Sequence, residues 1–243
     1  MGFLFRPKEL PRPASLTFTL DQAGHTYDDG HVGLAPTDIT ISELRVAVIG
    51  LNGAGKSTLL GLLDGSLKAN AGTVTIAGGE ERLDPAVKKD AKRIDNLVGK
   101  VRREEIPNSF YQAANISEAV SEALKKHKVP ESERHARIGN LFAHFDLAQV
   151  SKAKASELDS ALDSEKRHLL AIAAALSFSP AAIVADEPTK GLDEVSSTRV
   201  AKALFSYDKQ VVFATHDTDM IRRPEYAIDR VLVLDEHAVA FDG

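Results

Sequence analysis

At 243 residues, with 43% apolar and 27% charged side chains, the chain suits one large α/β domain or two small ones and has an ordinary globular composition. A net charge of −5 argues against broad affinity for nucleic acid, and the absence of cysteine removes disulfides, thiolate catalysis and cysteine-ligated zinc together. No apolar run approaches the roughly 20 residues of a transmembrane helix, and Met1 to Pro7 is too short in its apolar part for a signal peptide and lacks Ser or Thr at position 6 for myristoylation. A cytoplasmic protein is expected, held at any membrane by a partner.

Residues 1–14 carry three prolines and little periodicity, and read as an extended lead-in. Leu16 to Leu20 alternates with period two, and Ile39-Thr40-Ile41 repeats the pattern after the turn residues Asp28-Asp29-Gly30, which predicts antiparallel strands. The apolar run Leu44 to Ile49 then leads into Gly50-Leu51-Asn52-Gly53-Ala54-Gly55-Lys56-Ser57-Thr58, followed by a helical pattern with Leu59, Leu60, Leu62 and Leu63. This run fits G-x-x-x-x-G-K-[ST] in full and has the strand and helix that the motif requires. Asn52, Gly53, Ala54 and Gly55 supply backbone N–H groups that converge on an anion at a helix N-terminus. The expected guest is a nucleoside triphosphate, with Lys56 on its β- and γ-phosphates, Ser57 giving a hydroxyl to Mg²⁺ and Thr58 close by.

Gly72 to Ala77 predicts a further strand closed by Gly78-Gly79, and Leu97 to Arg102 another. From Asn115 to Leu147 the pattern is helical: Ile116, Ala119, Val120, Ala123 and Leu124 share a face, Pro130 starts a second segment, and Ile138, Leu141, Phe142 and Phe145 give it an apolar stripe. Alternation then resumes, with a helix over Glu165 to Leu176, a buried strand over Ala181 to Ala185, a helix over Val195 to Phe205 and a strand over Val211 to Ala214. Such alternation predicts parallel strands with helical crossovers. Arg230 to Asp235 and Ala238 to Phe241 predict a final hairpin turning at Glu236-His237.

Asp186 and Glu187 follow the strand Ile183-Val184-Ala185, at the strand end where ligands of such sheets bind. Asp186 is expected to hold Mg²⁺ directly or through water, and Glu187 to orient and polarise an attacking water. His216, after the next apolar strand, is the candidate for contact with the γ-phosphate or that water.

Together these residues resemble the nucleotide-binding subunit of ATP-binding cassette (ABC) transporters, over about residue 16 to 243. Gly50 to Thr58 matches the family's Walker A motif, Ile183 to Asp186 with Glu187 its Walker B and catalytic glutamate, Gly191-Leu192-Asp193 its D-loop, and His216 its switch histidine. Tyr27 looks like its adenine-stacking aromatic. The resemblance implies a P-loop NTPase (RecA-like) core with a parallel sheet, an antiparallel β subdomain and a helical insert, as one domain over 15–243 with the helical part at about 105–165. It also implies ATP and Mg²⁺, a catalytic set of Glu187, His216 and Lys56, and a dimer contact at Asp193. The implied partners are a second ATPase subunit, identical or different, and transmembrane transporter subunits, with no nucleic acid.

Two departures stand out. The family's Leu-Ser-Gly-Gly-Gln signature is absent, and its place falls on Leu162-Asp163-Ser164-Glu165-Lys166 counting back from Walker B, or on Leu158-Asp159-Ser160-Ala161-Leu162 counting forward from Phe145-Asp146-Leu147. Either frame puts an aspartate where the family has a serine facing a triphosphate, a repulsive exchange. The small residues Ser160 and Ala161 lean toward the second frame. The family's Q-loop glutamine falls on Arg103 or Glu105, while the nearest glutamine is Gln112. The expected function is the ATP-hydrolysing subunit of a membrane transporter, most like the energy-coupling-factor importers for vitamins and metal ions. The alternative is an ATP-binding regulatory module with little hydrolysis.

Overall fold

Strands of two kinds appear in the sequence, half-buried alternating ones and continuously apolar ones, and they form two sheets. The structure, a computed structural model, describes residues 15–102, 106, 108–154 and 157–243, with the backbone alone at Asn108, Ser109, Leu158 and Asp159. The lead-in of residues 1–14 and the Q-loop positions Arg103 and Glu105 lie outside the described residues.

In chain order the elements are β1 (Thr17–Thr26), β2 (Val32–Ile41), β3 (Arg45–Ile49), α1 (Lys56–Leu63), β4 (Ala71–Gly78), β5 (Glu81–Leu83), α2 (Lys88–Leu97) and β6 (Val98–Arg102). The chain continues with α3 (Ile116–Lys126), α4 (Glu131–His144), α5 (Leu158–Ala161), α6 (Ser164–Leu176), β7 (Ala182–Asp186), α7 (Glu194–Phe205), β8 (Gln210–Thr215), α8 (Thr218–Ile221), β9 (Arg230–Asp235) and β10 (Ala238–Asp242). The described chain divides into two compact units.

The first unit runs to Lys100 and adds Ala181–Pro188 and Tyr207–Gly243. It holds an antiparallel sheet of order β2-β1-β4-β5 and most of a six-stranded sheet of order β10-β9-β3-β8-β7-β6. Strands β9, β3, β8 and β7 run parallel, with β10 returning antiparallel on β9. Every residue of β7 and β8 is buried, as expected of parallel strands covered on both faces. In β1 the alternation holds from Thr17 to Leu20, with Phe18 and Leu20 buried; the register against β2 then shifts beyond Leu20, where Gln22 takes a positive φ of 47°. Phe18, Ile41, Val48, Leu59, Leu63, Ile76, Val184 and Val212 belong to one core, so both sheets are built on α1. Burying such side chains contributes about 1.5–3 kcal/mol each, the main favourable contribution here.

Helix α2 was not expected, because only its Ile94 is buried and the rest reads as a charged connection. It is held by Ile94, which belongs to the core, and by an ion pair from Arg93 to Glu81 on β5.

The second unit contains Val101–Pro180 and Thr189–Ser206. Helix α3 begins at Asn115, whose side chain accepts the Glu118 N–H at 2.9 Å while the Glu118 carboxylate accepts Ala114 N–H at 3.1 Å, a reciprocal cap. Its buried residues are the predicted Ile116, Ala119, Val120 and Leu124. Helix α4 carries Glu131 and Glu133 in its first turn, on the positive end of the helix, and buries Ile138, Leu141 and Phe142. This unit reaches further than the expected helical stretch of about 105–165: it also takes in α6, buried from His168 through Leu176, and α7, which packs on α6.

Candidate functional site

The register of the parallel sheet brings three strand ends to one level. Ile49 at the end of β3 lies beside Thr215 at the end of β8, and Asp186 at the end of β7 lies beside Ala214. The loops after β3, β7 and β8 therefore leave the same sheet edge side by side, carrying the 50–58 loop, Glu187 and His216.

Within the 50–58 loop, Gly55 is the N-cap of α1 at φ 99°, a conformation that glycine takes without cost. No side chain caps α1 and no acidic residue sits in its first turn, so its N–H groups face outward without a competing internal anion. Asn52, Gly53 and Ser57 are exposed, while Ala54, Lys56 and Thr58 are buried. Lys56 Nζ donates to the carbonyls of Gly50 at 2.7 Å and Leu51 at 3.1 Å, and stands 3.8 Å from Glu187 Oε1. The ammonium is thus held over the loop by weak acceptors that phosphate oxygens can replace.

Asp186 is buried, and its Oδ1 has no hydrogen-bond partner among the described residues. A buried carboxylate oxygen left so is costly unless a cation satisfies it. Asp186 and the exposed hydroxyl of Ser57 offer oxygen donors of the kind that Mg²⁺ selects, and are the residues that could hold it. Glu187, 4% exposed, adopts φ 51°, a left-handed conformation unfavourable for a non-glycine residue, and its N–H is held by Ala214 O at 3.0 Å. That bend aims its carboxylate between Lys56 and His216. His216 Nδ1 donates to Glu187 Oε2 at 2.7 Å; the carboxylate can only accept, which sets the tautomer and leaves Nε2 on the solvent side of a ring that is 55% exposed.

Tyr27 OH shares a hydrogen bond of 3.1 Å with Thr58 Oγ1, tying the aromatic to the phosphate loop. Gly33 makes this possible, because a Cβ there would lie 2.6 Å from the Tyr27 ring and 2.8 Å from Thr58 Oγ1. Three histidines extend the tyrosine into a cluster of rings: His25 meets it edge-on at 4.6 Å, His31 lies nearly parallel at 6.2 Å, and His237 meets His31 edge-on at 5.1 Å. Sequence reasoning did not find this cluster, since its members come from β1, the β1–β2 turn and the β9–β10 turn.

In the helical unit, Asp163 is the N-cap of α6. Its Oδ1 accepts Lys166 N–H at 2.8 Å, and Lys166 Nζ stands 3.5 Å from Oδ2. Ser164 is the first residue of α6, and its carbonyl is 2.7 Å from His168 Nδ1. Glu165 ties α6 to α7, accepting from Ser196 Oγ at 2.8 Å and Arg199 Nη1 at 3.3 Å. Ser160 belongs to the separate turn α5 and donates to Glu157 O at 3.0 Å, and the side chain of Asp159 lies outside the described residues. Asp193 caps α7, accepting Val195 and Ser196 N–H at 2.9 and 3.0 Å. The Ser196 hydrogen bonds hold the Asp193 carboxyl below the usual aspartate range. Gln112 is exposed at the end of a short 3-10 segment.

The sequence model of the ABC transporter family matches residues 37–190, more than half of the chain. The chain belongs to the ABC transporter family. An ABC transporter ATP-binding protein of Deinococcus radiodurans is 34% identical over 224 residues, covering 92% of each chain. Among solved structures, cbiO1 of Clostridium perfringens, part of the ABC transporter complex cbiONQ, is 27% identical with a TM-score of 0.75, covering 93% of this chain and 87% of that one. A bacterial ABC transporter cassette solved as a dimer has a TM-score of 0.77 at 24% identity, covering 93% of this chain and 97% of that one, a likeness of fold. This ABC ATP-binding protein has the P-loop NTPase fold, and none of its described helices is long and apolar enough to cross a membrane.

Proposed function

We propose that this chain is the ATP-hydrolysing subunit of a membrane transporter, and that it supplies an intact catalytic half-site with a weakened signature half-site. The observation that carries the reading is the buried Glu187 carboxylate, bent into place between Lys56 at 3.8 Å and His216 at 2.7 Å. Asn52 to Thr58 receive the phosphates, Lys56 leaves the Gly50 and Leu51 carbonyls for phosphate oxygens, and Tyr27 stacks on the base. Mg²⁺ bound by Ser57 and Asp186 would neutralise charge on the transferred phosphoryl group. Glu187 Oε1 orients a water and draws its proton, while His216 Nδ1 fixes the other carboxylate oxygen and holds the carboxylate in one orientation.

The signature reading follows the first frame, because the long helix preceding β7 begins at Ser164 with Asp163 at its cap. There one of the N-terminal N–H groups that the family offers to a partner's nucleotide, that of Lys166, is already engaged by the Asp163 carboxylate. That favours pairing with a second ATPase subunit whose signature is unaltered, at the inner face of a membrane, beside transmembrane subunits. The likeness to cbiO1 supports an importer of energy-coupling-factor type, for a vitamin or a metal ion. The closed α6 N-terminus also supports a second reading, a nucleotide-binding regulatory module with little turnover.

ATPase assays of the purified chain, alone and with the ATPase and membrane subunits encoded beside it, separate the two. Turnover is expected in the complex and is expected to fall at least about a hundredfold in Glu187→Gln with ATP binding retained. Absence of turnover in every combination would leave only the regulatory module.

A further inference from the structure

We propose that His237 is a nucleoside-contacting residue, completing with Tyr27 a site for the base and ribose of the bound nucleotide. The inference rests on the reading that this chain binds ATP, and adds a residue outside every motif from which that reading was drawn.

Four observations converge on it. His237 Nδ1 is buried and has no hydrogen-bond partner among the described residues, although the ring itself is only partly buried. The β9–β10 hairpin turns on Glu236 and His237, both at positive φ, 44° and 66°. That is a two-residue turn in which Asn-Gly or Gly-Gly is favoured, so the chain keeps a histidine where its backbone prefers glycine. The turn is fastened to the nucleotide loop's surroundings: His237 O accepts Ala35 N–H at 2.8 Å, and a Cβ at Gly55 would lie 3.6 Å from His237 Cα. Finally, the His31 ring stands between the two aromatic partners, 5.1 Å from His237 and 6.2 Å from Tyr27. The 6.2 Å contact is at the long end of aromatic stacking, so a base that stacks on Tyr27 gives up little by displacing His31.

A purine nucleoside offers what an imidazole nitrogen in this position lacks. Ring nitrogens and the exocyclic group of the base, or the ribose hydroxyls, can each give or take the hydrogen bond that Nδ1 does not make. The phosphates are excluded from this role, because the loop and Lys56 already account for them.

The test uses the full chain and His237→Gly, a replacement that relieves the positive φ while removing the imidazole. Calorimetric titrations with ATP, GTP, 2′-deoxy-ATP and inorganic tripolyphosphate are compared for parent and variant, alongside melting temperatures without ligand. The variant is expected to melt at or above the parent temperature, to bind ATP about tenfold more weakly and to bind tripolyphosphate unchanged. A loss that disappears for 2′-deoxy-ATP assigns the contact to the ribose; a changed ratio of ATP to GTP assigns it to the base. Unchanged ATP affinity, or equal losses for ATP and tripolyphosphate, overturns the proposal. Lys56→Ala serves as the control for the underlying reading and is expected to weaken ATP and tripolyphosphate together. A parent chain that binds neither ligand defeats both readings, whereas Lys56-dependent binding indifferent to His237 defeats this one alone.

Discussion

Asp186 carries a carboxylate oxygen that is buried and has no hydrogen-bond partner among the described residues. In the absence of a cation such an atom costs on the order of 1–3 kcal/mol, because water has been removed and nothing has replaced it. Asp186→Asn removes the charge while keeping the shape. In metal-free buffer it is expected to stabilise the chain by about 1 kcal/mol, and it is expected to abolish the increase in ATP affinity that Mg²⁺ gives the parent. Thermal unfolding without metal and ATP titrations with and without Mg²⁺ measure the two effects. A destabilised variant that still responds to Mg²⁺ would remove Asp186 from the metal site. Asp186, Glu187 and the 50–58 loop were legible in the sequence because their meaning lies in short spacing and in the strand before them. The backbone bend at Glu187 was not legible, since φ 51° is imposed by the Ala214 hydrogen bond from a neighbouring strand. His31 and His237 were equally hidden, because only the fold brings two turns so far apart in the chain together.

At the level of elements, periodicity identified the buried strands and the apolar faces of α3 and α4, where burial dictates the pattern. It failed for α2, where one buried isoleucine is too little signal, and it left two signature frames because both contain Leu-Asp-Ser. The fold puts the two segments in different surroundings: Asp163 caps α6, whereas Ser160 lies in the short turn α5. A second fastening is visible only in the folded chain. Arg230 on β9 donates to both Asp242 oxygens on β10 at 2.6 Å and to Glu43 Oε1 at 3.0 Å, beyond the end of β2. The hydrogen bonds from Arg230 hold the Asp242 carboxyl below the usual aspartate range. A group depressed in the folded state stabilises it above the unfolded value and loses that contribution as pH falls through the folded one. Asp242→Asn is therefore expected to be less stable than the parent near neutrality, the gap closing as pH falls below about 4. The carboxylate is 43% exposed, so solvent screening keeps the difference within about 1 kcal/mol and added salt narrows it further. Urea unfolding at a series of pH values reads the trend, and a gap that widened in acid would contradict the clamp.

For the whole molecule, the contrast between an intact nucleotide half and a carboxylate-capped α6 becomes a statement about pairing. On the proposed frame, two copies of this chain closing on ATP would each present Asp163 to the other's triphosphate, so the penalty would enter twice; a pair with a normal partner would carry it once. A carboxylate at a helix N-terminus that must accept a further anion forfeits about 1 kcal/mol, hence about 2 kcal/mol for two copies. That corresponds to roughly thirtyfold in the dimer dissociation constant. Asp163→Ser isolates the effect, because serine caps a helix about as well as aspartate and removes only the charge. In a Glu187→Gln background, expected to hold ATP without hydrolysing it, sedimentation analysis is expected to show the Asp163→Ser chain dimerising at about thirtyfold lower concentration than the chain with Asp163, with unfolding midpoints nearly equal. Equal dimerisation would mean that the α6 N-terminus does not face a nucleotide, and the weakened half-site would have to be sought in the other frame, at Ser160 and Ala161. If the thirtyfold shift appears, the natural chain is a poor partner for itself, and its Walker half is built to work opposite a different signature.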